Sequence, residues 1–337
     1  MTTRFAVLGA GRIGQVHARA IAQVDGAALV AIADPISAAA EAMATKYGCD
    51  IRSIDAIEAA DDVDAVVICT PTDTHADLIE RFCRAGKAVF CEKPVDLDTA
   101  RVRACLQVVK ETGGRVMVGF NRRFDPDFAA LKAAIDAGRI GKVEMVTLIS
   151  RDPGAPPYDY ITSSGGIFRD MTIHDFDMAR WLLGEEVETV MAQASVLTDP
   201  KIGALGDFDS ANVILRTASG RQAIITNSRR ATYGYDQRIE VLGETGMVSA
   251  RNQHAANIQF ADAQGFHDAP LLNFFMTRYT AAYAAEIAAF AAALRDGSAM
   301  PITAGDGLRA LELADAALQS AQSGQAVRLV ASAQKVA

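Results

Sequence analysis

Asp170 and His174 stand four residues apart in GGIFRDMTIHDFDMARWLLG (Gly165–Gly184), a stretch otherwise rich in apolar side chains. A helix that only covers a core keeps its charges on the far face. Here Asp170, His174 and Asp177 fall at i, i+4 and i+7, on one helical stripe. An imidazole with a carboxylate one turn away has the parts of a general base and its orienting partner, because the ordinary histidine pKa of about 6.5 lets it take a proton near neutral pH. A metal site is the competing chemistry, since hard metals accept carboxylate and imidazole. No second cluster of Cys or His supplies the remaining ligands: His17, His254 and His267 are scattered, and His75 belongs to another loop. No metal is expected. Asp175 and Asp177 are expected on the helix surface, with Arg180 available to Asp177 as an ion-pair partner.

A second group of residues can hold a phosphate. Gly9-Ala10-Gly11-Arg12-Ile13-Gly14 matches G-x-G-x-x-G between an apolar run and a helix-like stretch, and Asp34 ends the next apolar run. Gly9 permits the tight turn, Gly11 lets a pyrophosphate reach the backbone, and Gly14 lets the helix pack on the strand. The helix N-terminus presents free N–H groups to the phosphates. Asp34 can accept from both ribose hydroxyls and would repel a 2′-phosphate; Pro35 follows it, with no adjacent Arg. NAD is therefore expected over NADP. The loops CTPTDTH (Cys69–His75) and CEKP (Cys91–Pro94) fall at further strand ends, which places Thr70, Pro71, His75, Glu92 and Lys93 among the expected cofactor contacts. Pro94 keeps the preceding Lys93 extended at its strand tip.

Two different frameworks must position these groups. Up to about Phe120, apolar runs (RFAVLG, ALVAIAD, DAVVICT, AVFCEKP, RVMVGF) alternate with helical stretches at Ile13–Val24, Ser37–Tyr47, His75–Ala85 and Thr99–Thr112. Runs of Val, Ile and Ala that are apolar on both faces imply a parallel sheet covered on both sides. Beyond the helix Pro126–Ala137, strand-like segments follow one another from KVEMVTLISR to MVSA, with a hairpin signal at Ser219-Gly220. That pattern implies a largely antiparallel sheet. Helical stretches at Leu271–Leu294 and Asp306–Ser323 close the chain. The expected fold is α/β, with an N-terminal Rossmann dinucleotide-binding domain at 1–121. A C-terminal α/β domain with a large, mainly antiparallel open sheet follows at 122–337, and its last helix is a candidate to pack back on the first domain.

Composition removes other classes of function. The 337 residues carry a net charge of −8, which argues against a nucleic-acid binder. The Ala-rich run AAYAAEIAAFAAAL is interrupted by Glu286 and is too short for a membrane span. No targeting segment is visible after Met1-Thr2-Thr3-Arg4. The five cysteines (Cys49, Cys69, Cys83, Cys91, Cys105) include no CxxC pair, so neither a disulfide framework nor a zinc site is expected, and a reducing cytoplasm is.

With GAGRIGQVHA, CTPTDTH, EKP, GFNRRFDP and SSGGIFRDMTIHDFDMARWL in place, nearly the whole chain resembles the oxidoreductases grouped around glucose–fructose oxidoreductase and inositol dehydrogenase. SRDPGAPP followed by the Gly165–Gly184 segment is similar to the inositol 2-dehydrogenase branch. The resemblance implies a Rossmann domain plus a C-terminal α/β domain whose open sheet packs against its copy in dimers or tetramers. It implies that Lys93, Asp170 and His174 are catalytic, and that Gly9, Gly11, Arg12 and Ile13 form the phosphate loop. It also implies polyol contacts from Lys93, Asp170 and His174, from Arg122 or Arg123, from Asp152, and from Tyr233 or Tyr235.

The chemistry then expected is oxidation of a secondary alcohol on a cyclic polyol or sugar, with NAD as hydride acceptor and myo-inositol giving the 2-keto compound. His174 acts as base, Asp170 orients it, and Lys93 stabilises the developing alkoxide or relays the proton. An exchange of roles between Lys93 and His174 stays open. Another inositol isomer or a pyranose is the alternative substrate. A nonenzymatic NAD-binding sensor is the alternative of a different class, against which the joint presence of Lys93, Asp170 and His174 counts.

Overall fold

Strands buried on both faces build the first sheet of this computed structural model, which describes Thr2–Leu329. Its elements alternate as β1 (Thr3–Leu8), α1 (Arg12–Gln23), β2 (Ala27–Ala33), α2 (Ser37–Tyr47), β3 (Asp50–Ile51), α3 (Ile54–Ala59), β4 (Ala65–Ile68), α4 (His75–Arg84), β5 (Ala88–Glu92), α5 (Thr99–Thr112) and β6 (Val116–Gly119). All neighbours are parallel, in the order β3-β2-β1-β4-β5-β6. The order reverses between β1 and β4, so the carboxyl ends of these strands face a crevice suited to a dinucleotide. Val66, Val67 and Ile68 of β4 and Val89, Phe90 and Cys91 of β5 have no exposed surface. The short α3 has no counterpart in the sequence reading. Six residues are too few for a period to show, although Ser53 caps it by accepting from the amide of Ala56 at 3.1 Å.

Alternation takes over afterwards. α6 (Pro126–Asp136), β7 (Val143–Arg151), α7 (Tyr158–Ser163), α8 (Ile173–Leu183), β8 (Val187–Ser195), α9 (Pro200–Ala204), β9 (Ser210–Thr217), β10 (Gln222–Ser228), β11 (Asp236–Gly243) and β12 (Gly246–Ala250) lead to a hairpin, β13 (Gln259–Asp262) and β14 (Gly265–Asp268). With β15 (Val327–Arg328), the second sheet runs β12-β11-β7-β10-β9-β8-β15. Its pairs are antiparallel except β7 with β10, which are parallel. Along β9, Ala211, Val213 and Leu215 are buried while Asn212, Ile214 and Arg216 are exposed, the period of a sheet covered on one face. The turn at Ser219-Gly220 joins β9 to β10, closed by a 2.9 Å bond from the Thr217 amide to the Arg221 carbonyl.

The chain ends with α10 (Phe275–Arg278), α11 (Thr280–Asp296) and α12 (Ala304–Ser323). The single helix expected from Leu271 is instead the short α10, from Phe275, and then α11, from Thr280. Before them, Phe274 is extended and its ring packs at 6.4 Å from Tyr235, which also meets Tyr279 edge-on at 6.0 Å. Burial of those rings overrides helical propensity. The chain forms two compact units: residues up to Asp125 with Thr280–Leu311, and Pro126–Tyr279 with the chain from Glu312. Among the described residues no helix is long and apolar enough to cross a membrane.

Candidate functional site

In the first unit the expected cofactor residues lie at the carboxyl ends of the strands and in the loops and helix starts that follow them. β1 runs into Gly9–Gly14, β2 into Asp34, β4 into Thr70-Pro71, β5 into Glu92-Lys93, and β6 into a 3₁₀ turn, Asn121–Phe124, that carries Arg122 and Arg123. The three glycines differ in what requires them. A Cβ on Gly9, whose φ is +100°, would lie 2.7 Å from the Cys69 carbonyl oxygen, and one on Gly14 would lie 1.9 Å from that of Gly9. Those two are demanded by packing. Gly11 has an ordinary φ of −67°, is exposed, and a Cβ there would meet nothing within 4 Å. The open space over the start of α1 is the cradle a pyrophosphate needs, so the residues fit NAD. Asp34 braces the loop from the next strand: Oδ2 accepts from the Ala10 amide at 2.5 Å and Oδ1 from the Ile36 amide at 2.7 Å. Each oxygen keeps a lone pair for a ribose hydroxyl. Arg12 is exposed and Ile13 half-buried beside it.

Two of the expected cofactor contacts, His75 and Glu92, are buried. His75 has Nδ1 2.8 Å from the Pro94 carbonyl and Nε2 2.8 Å from that of Thr70, and it ties the two loops together. In Glu92, Oε1 lies 2.6 Å from Nε2 of His17, and Oε2 accepts from the Lys93 amide at 3.3 Å. Each side chain satisfies a polar neighbour within the protein. Pro71 is exposed, and the hydroxyls of Thr70 and Thr74 meet at 2.6 Å. Lys93 is half-buried, and its peptide bond to Pro94 is cis. Arg122 is buried, whereas Arg123 is drawn to Asp306 at 3.3 Å. Burial holds the thiols of Cys69 and Cys91 well above the usual range, so both are neutral.

In the second unit, the stretch expected as one regular helix begins with a π-helical turn, Phe168–Thr172, and becomes α8 at Ile173. The wider turn carries Asp170, so the even stripe of Asp170, His174 and Asp177 does not form; such turns recur at functional sites. Gly165 and Gly166 precede it with φ of +80° and +84°, and a Cβ on Gly166 would lie 2.7 Å from Oδ1 of Asp207. That oxygen accepts from the Ile167 amide at 2.9 Å, which fixes the entry to the turn. Asp170 accepts from the Tyr160 hydroxyl at 2.8 Å and faces the Arg229 guanidinium at 3.7 Å. Arg229 is 1% exposed and also lies 3.4 Å from Asp207. His174 is half-buried, with Nδ1 inside the protein.

Asp175 and Asp177, expected on the surface, are both buried. Asp175 accepts from Ser150 at 2.5 Å and from Asn227 at 2.8 Å, and Asn227 in turn accepts from Thr172 at 2.7 Å. This network pins α8 to β7 and β10 and thereby sets the direction of His174. Arg180 holds Glu186 at 2.6 Å. Asp152 follows β7, its amide bonded to the Ser228 carbonyl and its carbonyl accepting from Ala231. Tyr233 is exposed; its hydroxyl donates to Asp236 at 2.6 Å and accepts from Arg151 at 3.0 Å. Burial opposes ionisation of Asp236, but Arg238, Tyr233 and Asn252 together hold its carboxyl below the usual range. Tyr235 is a core residue, 6% exposed. Sequence reasoning missed Tyr160, Asp207 and Arg229 around Asp170. The only available signal was an arginine pair at the end of an apolar run, Arg229-Arg230, and it carries no spacing to Asp170.

Residues 3–120 match the family described as "Oxidoreductase family, NAD-binding Rossmann fold", and residues 128–249 match the GFO/IDH/MocA C-terminal domain. An inositol 2-dehydrogenase of Rhizobium meliloti is 66% identical over 320 residues, covering 95% of this chain and 97% of the relative. A myo-inositol 2-dehydrogenase of Thermotoga maritima is 44% identical, covering 97% and 98%. The crystal structure of a myo-inositol dehydrogenase from Corynebacterium glutamicum superposes with a TM-score of 0.95 at 45% identity, covering 98% of this chain and all of that one.

Proposed function

The chain belongs to the GFO/IDH/MocA oxidoreductase family, and from that premise we propose that it oxidises myo-inositol at C2, giving the 2-keto compound, with NAD as hydride acceptor. The observation that carries this reading is the likeness to inositol 2-dehydrogenases along both units together with Lys93, Asp170 and His174, each half-buried at the end of a rigid element. NAD, when bound, supplies the hydride acceptor. Gly9, Gly11, Arg12, Ile13 and Gly14 hold its pyrophosphate and Asp34 its ribose; Thr70 and Pro71 flank it.

The protein supplies the proton chemistry and the orientation. His174 takes the hydroxyl proton at Nε2, its Nδ1 being inside the protein. Asp170, steadied by Tyr160 and faced by Arg229, orients the imidazole and accepts from a neighbouring hydroxyl. Lys93 donates to the reacting oxygen as it gains negative charge. Arg122 and Asp152 bind further hydroxyls. Arg122 is preferred to Arg123, whose charge Asp306 holds, and Tyr233 to Tyr235, which is in the core. A ring of hydroxyls requires donors and acceptors together, which this set provides.

We assign the protein to the reducing cytoplasm, in keeping with its five free thiols, four of them buried. Its open sheet face, where Met145, Ile214, Ile224, Leu242 and Met247 are exposed, is the surface that pairs with a second copy.

NADH formation measured with a panel of inositols and aldoses, with NAD and NADP in parallel, tests the substrate and cofactor together. Turnover is expected on myo-inositol with NAD, and much weaker turnover with NADP. Activity on glucose with none on myo-inositol would move the reading to a pyranose dehydrogenase, and NAD binding without turnover on any substrate would favour a sensor.

A further inference from the structure

Glu286, the one acid in the Ala-rich run AAYAAEIAAFAAAL, has no exposed surface. Both of its carboxylate oxygens lie inside the first unit without a hydrogen-bond partner. The side chain comes from α11 and points to a place where two other chemically active groups already meet. His17 from α1 and Glu92 from the tip of β5 are bonded at 2.6 Å, and one ligand atom from each of the three residues lies within 4.8 Å of the others. His17 is itself fully buried, enclosed edge-on by Phe90 at 5.0 Å and Tyr283 at 5.5 Å. The other titratable group that senses both carboxylates is the buried Cys69 thiol, which is neutral.

Two carboxylates this close and this dry cannot both be ionised. An ionised Glu92 can accept on both oxygens, from the His17 ring on one and from the Lys93 amide, at 3.3 Å, on the other. Glu286 has no donor on either oxygen. The negative charge therefore stays on Glu92 and the proton on Glu286; burial and the neighbouring Glu92 push the Glu286 carboxyl well above the usual carboxylate range. The donors on Glu92 come from two elements that matter to the reaction. His17 belongs to the helix whose N-terminus meets the pyrophosphate, and the amide is that of Lys93 itself.

We propose that His17, Glu92 and Glu286 form a buried cluster that positions Lys93 and in which the two carboxyl groups hold one proton between them, with Glu92 as the single anion and Glu286 as a protonated neighbour that keeps a second charge out. The cluster links the dinucleotide helix to the lysine tip through two hydrogen bonds, so the lysine is set by the same element that seats NAD. Glu92 and Glu286 are positioning residues; neither touches substrate. The proposal rests on the role given to Lys93 above, and its proton assignment can be tested without turnover.

Infrared difference spectroscopy of the full protein at neutral pH is expected to show the carbonyl stretch of a protonated carboxyl group that is absent from Glu286→Gln. Steady-state kinetics on myo-inositol supply the second readout. Glu286→Gln, which keeps the shape and the neutral charge, is expected to leave kcat within about threefold of wild type. Glu92→Gln is expected to lower kcat about 10²-fold while the KM for NAD and the thermal midpoint hold, since misplacing a catalytic group by about an ångström has that effect. Absence of the protonated-carboxyl band would overturn the proton assignment, as would stoichiometric metal in the purified protein that Glu286→Gln removes. A loss of thermal midpoint and KM in step with kcat in Glu92→Gln would reduce the cluster to a structural role. Failure on every polyol with the band intact would sink the substrate reading and leave the proton assignment standing.

Discussion

His174 and Lys93 are asked for different contributions, and the rates of their variants separate them. Removing a general base costs about 10²–10⁴-fold in kcat. Removing one donor to a developing oxyanion costs about 10²–10³-fold. His174→Ala and Lys93→Ala are expected to fall in those ranges with NAD affinity and circular dichroism unchanged; near-wild-type turnover in either variant removes that residue from the mechanism. Asp170 and His174 could be singled out because both sit on one local segment, four residues apart. The surroundings of Asp170 could not. Arg229 faces it from just past the end of β10 and is itself faced by Asp207 from the loop before β9, and no periodicity relates such positions. Asp177 shows the opposite failure: a charge that reads as solvated is 1% exposed.

At the level of elements, the π-helical turn and the Asp175 network fix α8, and a second buried acid does the same for the chain before β9. Asp209 has no exposed surface, yet its carboxyl is held at about 2. Burial works against ionisation there, but the amides of Leu197, Thr198 and Asp199 and the Thr198 hydroxyl overcome it. A folded pKa below the unfolded value of about 3.9 stabilises fully above the unfolded value and loses that contribution as pH falls toward 2, an effect of about 2 kcal/mol. Asp209→Asn is therefore expected to lower the unfolding free energy at pH 7, with the difference from wild type shrinking between pH 4 and pH 2. Denaturant titrations across that range would refute the assignment if the difference stayed constant. The βα alternation of the first unit was readable because strands buried on both faces leave continuous apolar runs. The π turn was not, since a single extra residue per turn leaves no mark on composition.

For the whole molecule, the exposed face of the second sheet carries the clearest consequence. Ile214 and Ile224 lie opposite each other in the register of β9 and β10 and are 48% and 38% exposed. Charging both, as Ile214→Asp with Ile224→Asp, is expected to shift the protein to monomers in sedimentation velocity without unfolding it, because neither side chain contributes to the buried face. An unchanged sedimentation coefficient would place the pairing surface elsewhere. Both sheets were foreseeable as types, one parallel and one mainly antiparallel. Their strand orders were not, and neither was the parallel pairing of β7 with β10.

The sequence by itself determined the local frame: the glycine loop with Asp34 behind it, Lys93 directly before a proline, and Asp170 and His174 four residues apart on one segment. Each of these works through residues near in the chain or through a period the chain repeats. Only the tertiary structure decided which polar groups turn inward. It buried Glu92 against His17, closed His75 onto two carbonyls, buried Asp175 and Asp177, and set Glu286 beside a second carboxylate. Burial depends on what packs against a side chain from distant segments, and desolvation then fixes where a charge or a proton can stay.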